Sequence, residues 1–138
     1  MKKLKVALLI IIPLVLAAFL GFRAYEGHQE ELHFKTQQAQ GQDRAESMLK
    51  LIADFKSTHG RFPSWSEIEA FEAQNSFYYM SIAENDLITQ KMCPDCRTSN
   101  DGFKILMYAN LDDDSELDQF ILKSEVPNLE HKVNDLKE

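Results

Sequence analysis

From Val6 to Phe22 the chain carries no charge and is almost wholly apolar; beyond it the pattern turns polar and then periodic. Lys2, Lys3 and Lys5 precede this run and Arg23 follows it, the flanks of a membrane segment whose start stays cytoplasmic. The run holds 17 residues, Val6 to Phe22. At about 1.5 Å per residue it spans about 25 Å, and the stems of Lys5 and Arg23 extend its reach toward a hydrocarbon core of about 30 Å. Pro13 introduces a kink that membrane helices tolerate. A cleaved secretory signal is the rival reading. No small-x-small site follows the run, and the pattern beyond stays helical without a turn, which favours an uncleaved anchor over residues 1–23.

One helix is expected to continue to about residue 59. Between Glu26 and Gly41 it is rich in Gln, Glu and His and reads as a solvated stretch, with Gly41 a weak point costing about 1 kcal/mol against Ala. From Ala45 the apolar positions sharpen. Ala45, Met48, Leu49, Ile52 and Phe55 share one face and need a partner surface, while Glu46 and Lys50 pair on the outer side. Gly60 suits the left-handed position that closes a helix, and Phe62-Pro63 forces an extended exit. Ser64-Trp65-Ser66-Glu67 has the form of a capping box opening a short helix over about 65–72, with Trp65, Ile68 and Phe71 inward. Phe77, Tyr78 and Tyr79 read as buried, and Ser81 to Gln90 as either a helical turn or a strand. Phe103 to Ala109 and Gln119 to Lys123 are β-prone and form a hairpin over about 103–123. From Pro127 the tail either closes the sheet edge or frays. The expected class is α+β: a long transmembrane-plus-amphipathic helix packed on a small antiparallel sheet, within one domain over 24–138.

Charge narrows the function. The 138 residues carry −7, and because residues 1–23 hold four basic groups and no acid, the remainder carries −11. Such a domain repels nucleic acid, which is excluded as a partner. Cys93-Pro94-Asp95-Cys96 has the spacing of a redox pair, of half a zinc site or of a small disulfide. The chain is too short for a thioredoxin-like βαβ order and lacks a second Cys pair, so the disulfide is preferred. Asn110, Asp112, Asp114, Glu116 and Asp118 fall at positions 1, 3, 5, 7 and 9 of a calcium loop, but Ser115 and Ile121 stand where an EF-hand needs Gly and Glu. The loop reads either as a calcium site or as an acidic turn whose Asp side chains bond backbone N–H groups; no other cofactor is implied. His28, His33, His59 and His131 are scattered without a matched acid or nucleophile, and no enzymatic constellation is present.

The order of these features resembles a known family. An apolar helix runs into an amphipathic one that ends Ile52-Ala-Asp-Phe-Lys-Ser-Thr-His-Gly60-Arg-Phe-Pro63; a capped short helix follows, then a hairpin carrying Asn110-Leu-Asp-Asp-Asp-Ser-Glu-Leu-Asp118. This resembles the type IV pilin and type II secretion pseudopilin superfamily over most of the chain. The region Met1 to Val6 lacks the family's processing glycine and offers Lys5 where its glutamate would fall. The resemblance therefore implies a pilin-like fold on an uncleaved anchor. It implies a non-enzymatic structural or assembly subunit of a pilus or secretion-like machine, single-pass in a bacterial inner membrane with its C-terminal domain in the periplasm. The implied partners are the lipid bilayer and other pilin-like or secretion-system membrane subunits. The alternative function is a signal-anchored periplasmic binding module that uses the acidic loop for calcium.

Overall fold

The structure, a computed structural model, describes residues 2–71, 77–111 and 116–133; the side chains of residues 2–12 and of Val133 are outside that description. Helix α1 (Lys2–His59) is followed by α2 (Trp65–Phe71), β1 (Tyr79–Ser81), α3 (Leu87–Met92), β2 (Arg97–Thr98), β3 (Phe103–Ala109), β4 (Asp118–Lys123) and β5 (Leu129–Val133). The class is α+β, with a long N-terminal helix and a small antiparallel sheet. The chain divides into two units, Met1–Lys35 and Thr36–Glu138.

The first unit is helical, with Pro13 inside α1. Leu14, Leu16, Phe19, Leu20 and Phe22 are all more than half exposed. Lys35 pairs with Glu31 one turn earlier. Among the described residues no helix is long and apolar enough to cross a membrane. Only Pro13 to Phe22, ten of the seventeen uncharged positions, are described at side-chain level.

In the second unit the sheet order is β1-β3-β4-β5, and β2 also pairs with β3. Strand β4 pairs along β3 from Ala109↔Asp118 to Lys104↔Lys123, so β1 and β2 both lie on the other edge of β3. They are two pieces of one strand. Ser81 faces Leu106 and Arg97 faces Lys104. Sixteen positions separate Ser81 from Arg97 where the register needs two, so fourteen residues loop out of the edge and return. The Ala83 N–H donates to Cys96 O at 2.9 Å and closes the base of the excursion.

The excursion explains why β3 reads FKILMYA, without the alternation of a half-exposed strand. Successive side chains of a strand point to opposite faces. Phe103, Ile105 and Met107 lie on the face that also carries Asp118, Phe120 and Leu122 of β4. Leu106, Tyr108 and Ile121 lie on the other, where they cluster with Cys93 and Cys96 of the excursion. The sheet is thus covered on both faces, the second by a fourteen-residue lid of its own chain.

Packing on α1 begins earlier than the sequence pattern suggests. Gln37 and Gly41 are buried, so the solvated stretch expected from Glu26 to Gly41 does not hold over its last turn. Ala45, Met48 and Ile52 are buried as a face, with Leu49 and Phe55 half-buried beside them. Glu46 accepts from Gln42, one turn earlier, rather than pairing with Lys50. The helix closes where Gly60, at φ +73°, donates its N–H to Lys56 O. Helix α2 is capped by Glu67, whose carboxylate accepts from the Ser64 N–H at 2.8 Å. The Ser64 hydroxyl also donates to that carboxylate and does not accept from the Glu67 N–H, which donates to the Ser64 carbonyl instead; Arg61 holds Glu67 in a two-pronged ion pair, both bonds 2.8 Å. Of the three residues expected inward on α2, only Ile68 is fully buried; Trp65 is half-buried and donates its indole N–H to Glu69. Phe77 and Tyr79 are exposed, and Tyr78 alone of the three aromatics is buried. The ambiguous stretch 81–90 resolves into the end of β1 and the start of α3, and β5 closes the sheet edge.

Candidate functional site

Asp118 opens β4 on the face that meets α1, and its side chain is fully buried. Its Oδ1 accepts from Gln38 Nε2 of α1 at 2.8 Å and lies 2.7 Å from His131 Nε2 of β5, and its Oδ2 accepts from the Tyr78 hydroxyl. One carboxylate therefore joins the helix, the segment entering β1, and strands β4 and β5. A buried carboxylate without partners is costly, so three donors at one group make this a tightly specified point of the fold. The surroundings fix each donor. His131 stacks on Phe120, with ring centres 4.2 Å apart and 12° between planes. A register shift between Gln119 and Phe120 on the β4–β5 ladder seats His131 opposite Phe120. The Tyr78 carbonyl accepts from Arg44 of α1 at 2.6 Å.

This arrangement alters the reading of the acidic loop. Asn110 and Glu116 are exposed, whereas Asp112 and Asp114 lie outside the described residues. Asp118, the expected position-9 ligand, has both oxygens engaged inside the fold, and an ion would have to displace protein donors to reach it. Among the described residues no group of three or more His, Cys, Asp or Glu could hold a metal. His131, which has no matched acid in the linear sequence, meets one through the pairing of β4 with β5.

Cys93 and Cys96 form a disulfide and are both buried. Cys93 follows the C-terminal end of α3 and donates its N–H to Thr89 O. The negative end of the helix dipole points at it, the opposite of what stabilises a reactive thiolate. The pair sits over Leu106, Tyr108 and Ile121 and serves as a staple. The lid is tied down at several further points. Asp86 caps α3 through the Thr89 N–H at 2.8 Å and the Thr89 hydroxyl at 2.7 Å, and it accepts from the Tyr108 hydroxyl at 3.0 Å. Burial works against the Asp86 carboxylate, but these hydrogen bonds outweigh it and hold its pKa below the ordinary range. Burial, with Asp86 beside it, pushes the Tyr108 phenol well above its usual value. Asp95, between the cysteines, pairs with Lys104 of β3 at 2.7 Å, which lowers its pKa, and Lys132 of β5 donates to Met92 O at 3.2 Å.

A groove of about 460 Å³ opens where α1 meets the sheet. Ile52, Ala53, Phe62 and Phe103 form its apolar lining, joined by Lys50 and Lys56; Leu49, Ser124 and Asn128 complete it. The Lys56 ammonium sits over the Phe62 ring, 4.0 Å from its centre. Lys50, Ala53 and Lys56 are exposed.

Of the residues expected to matter, the structure brings Ala45, Met48 and Ile52 together in the core and joins Cys93 to Cys96. Phe55 instead stacks on His59, with ring centres 4.0 Å apart, and lies under Arg61. Arg23 rests over Phe19, while the side chains of Lys2, Lys3 and Lys5 lie outside the description. Sequence reading missed Gln38, Arg44, Tyr78 and His131 as a set, because their only common feature is spatial convergence on Asp118 or its neighbours. The one signal in the linear pattern was Gly41, a helix-weakening residue inside a sequence otherwise suited to a helix. The chain matches no family model, no curated protein and no solved structure.

Proposed function

We propose that the chain is a non-enzymatic, membrane-anchored, pilin-like structural or assembly subunit of a type IV pilus or type II secretion-like machine. The anchor is single-pass in a bacterial inner membrane, and the α+β unit faces the periplasm. One observation carries the reading. Within the first unit Leu14, Val15, Leu16, Phe19, Leu20 and Phe22 are between 55 and 66% exposed on one helix, with no other part of that unit to cover them. A helix that is apolar all round is covered by lipid or by other helices. Ten described positions fall short of a bilayer on their own; the reading uses all seventeen uncharged positions of the sequence, flanked by Lys5 and Arg23. The order of helix, glycine-closed turn, capped short helix and acidic-looped hairpin supports the pilin-like assignment.

Alkaline carbonate extraction of membranes from cells expressing the full chain tests the anchor. The native chain is expected in the pellet and Leu14→Arg/Leu16→Arg in the supernatant, since each arginine costs about 2.5–3.5 kcal/mol at the centre of a span. Native chain in the supernatant would overturn the anchor. Co-purification of pilus or secretion subunits after in-cell cross-linking tests the assembly role, and recovery of the chain alone would overturn that.

A further inference from the structure

We propose that the groove bracketed by Lys50 and Lys56 docks a short segment of a partner protein in which two carboxylates flank an apolar side chain. The inference concerns the second unit alone and goes beyond the membrane-anchored reading.

Charge is the first argument. The chain holds 22 acidic and 15 basic residues, yet among the described residues no carboxylate lines this groove. Among the described residues neither Lys50 nor Lys56 lies in an ion pair, although the neighbouring turns carry Glu46 and Asp54. Glu46 is occupied by Gln42. The Lys56 ammonium, though exposed, is held over the Phe62 ring at the edge of the apolar floor. A cation placed there loses little further freedom when a carboxylate arrives.

Spacing is the second argument. Lys50, Ala53 and Lys56 follow one another at three-residue steps, so the two lysines are about 9 Å apart along the axis of α1. Ala53, the smallest of the three, lies between them and leaves the hollow above Ile52, Phe62 and Phe103. A ligand that fills the hollow and satisfies both ammonium groups needs an acid at each end and an apolar group in the middle. A single-headed amphiphile such as a fatty acid would satisfy one lysine and leave the other unmatched. A volume of about 460 Å³ admits a few side chains and not a domain face, so the occupant is a segment. A helix with acids seven apart, which share one face about 10 Å apart along its axis, meets the spacing.

The test uses the full chain in a nonionic detergent and a fluorescein-labelled helical peptide of leucine and alanine with one glutamate near each end, read by anisotropy. The control peptide carries lysine in place of both glutamates. The glutamate peptide is expected to bind and the lysine peptide not. Lys50→Glu/Lys56→Glu and Ala53→Phe are each expected to weaken binding at least about tenfold, and raising salt from about 50 to about 300 mM to weaken it in the native chain. All three substituted positions are exposed, so unchanged circular dichroism and melting temperature separate lost docking from lost folding. Equal binding of both peptides, native-like binding by either folded variant, or no binding at millimolar peptide overturns the proposal. So does displacement of the peptide by equimolar sodium decanoate, which would assign the groove to a lipid carboxylate. None of these results bears on carbonate extraction, so the two readings fail separately.

Discussion

Tyr78 lies flat against the backbone of α1 at Gly41. A Cβ added at Gly41 would come within 2.6 Å of Tyr78 Cζ and 2.7 Å of Cδ2, and nearer still to Cε2. The ring cannot swing clear, because its hydroxyl is tied to Asp118 and its own backbone carbonyl to Arg44. Gly41 is therefore a requirement of packing, and the helix gives up about 1 kcal/mol of propensity to meet it. Gly41→Ala is expected to destabilise the second unit by roughly 1–3 kcal/mol despite the better helix former, as overpacking does. Gly27→Ala, where an added Cβ meets nothing within 4 Å, is the contrast. A urea midpoint that falls for Gly41→Ala and not for Gly27→Ala checks the claim.

The same ring leads to the second prediction. Asp118 is fully buried and collects Gln38, Tyr78 and His131. Asp118→Ala leaves the buried Tyr78 hydroxyl, the half-buried Gln38 amide and the more exposed His131 ring without their shared acceptor and is expected to cost about 3 kcal/mol. Asp118→Asn retains one acceptor oxygen but turns an amide N–H₂ toward groups that donate, and is expected to cost roughly 1–3 kcal/mol. Tyr78→Phe removes one of the three bonds and keeps the ring against Phe120. A double-mutant cycle between Tyr78→Phe and Asp118→Asn measures the coupling, and strictly additive losses would contradict the shared network.

Acid sensitivity follows from Glu67. The Arg61 guanidinium and then the Ser64 N–H hold its carboxyl at about 2, against an ordinary 4.5. The folded state therefore binds this proton more weakly than the unfolded chain. The stabilisation is fully present above about pH 4.5 and is lost as pH falls through the folded value near 2. Asp86 and Asp95, also lowered, add to the loss in the same direction below their ordinary 3.8. Melting temperature measured from pH 7 to pH 2 is expected to drop most steeply below about pH 4.5. In Glu67→Gln it is expected to start lower at pH 7 and to fall less over that window. Because the pair is only half-buried, high salt should flatten the native profile toward that of the variant.

What could be read from the linear chain was what local chemistry writes. The face Ala45, Met48, Ile52 shows helical spacing, Gly60 marks a left-handed turn, Glu67 closes a cap, and β3 and β4 announce themselves by composition. What could not be read was written by distant pairing. Strands β1 and β2 have three and two residues, too few to show a period, and they exist because β3 offers them an edge. The exposed Phe77 and Tyr79 look like core in a sequence, and only the register Tyr79↔Tyr108 puts the Tyr79 ring on the outer rim of the sheet. The Asp118 site was half legible: its residue stood out, but as the end of an acidic loop, since nothing local tells an inward carboxylate from an outward one.

The interrupted edge strand gives the last prediction. Fourteen residues leave the sheet after β1, and the strand resumes in register at β2, so the excursion is a lid added to the sheet and not part of its ladder. The disulfide closes a loop within it, the Ala83–Cys96 bond closes its base, and Asp86–Tyr108, Asp95–Lys104 and Lys132–Met92 attach it to the sheet. Closing a four-residue loop corresponds to about 2 kcal/mol in the chain-entropy view, and that loss should appear where the loop is. In Cys93→Ser/Cys96→Ser, native-state hydrogen exchange is expected to accelerate over residues 83–96 and to stay slow in β3 and β4, whose other face remains packed on α1. Excising residues 83–96 goes further, since the register permits β1 to run straight into β2 while Leu106, Tyr108 and Ile121 lose their cover. That variant is expected to keep its strand signal in circular dichroism and to self-associate on a sizing column through the bared patch. If protection disappears across β3 and β4 in the serine variant, or if the excised chain unfolds outright, the excursion is part of the folding core and not a lid upon it.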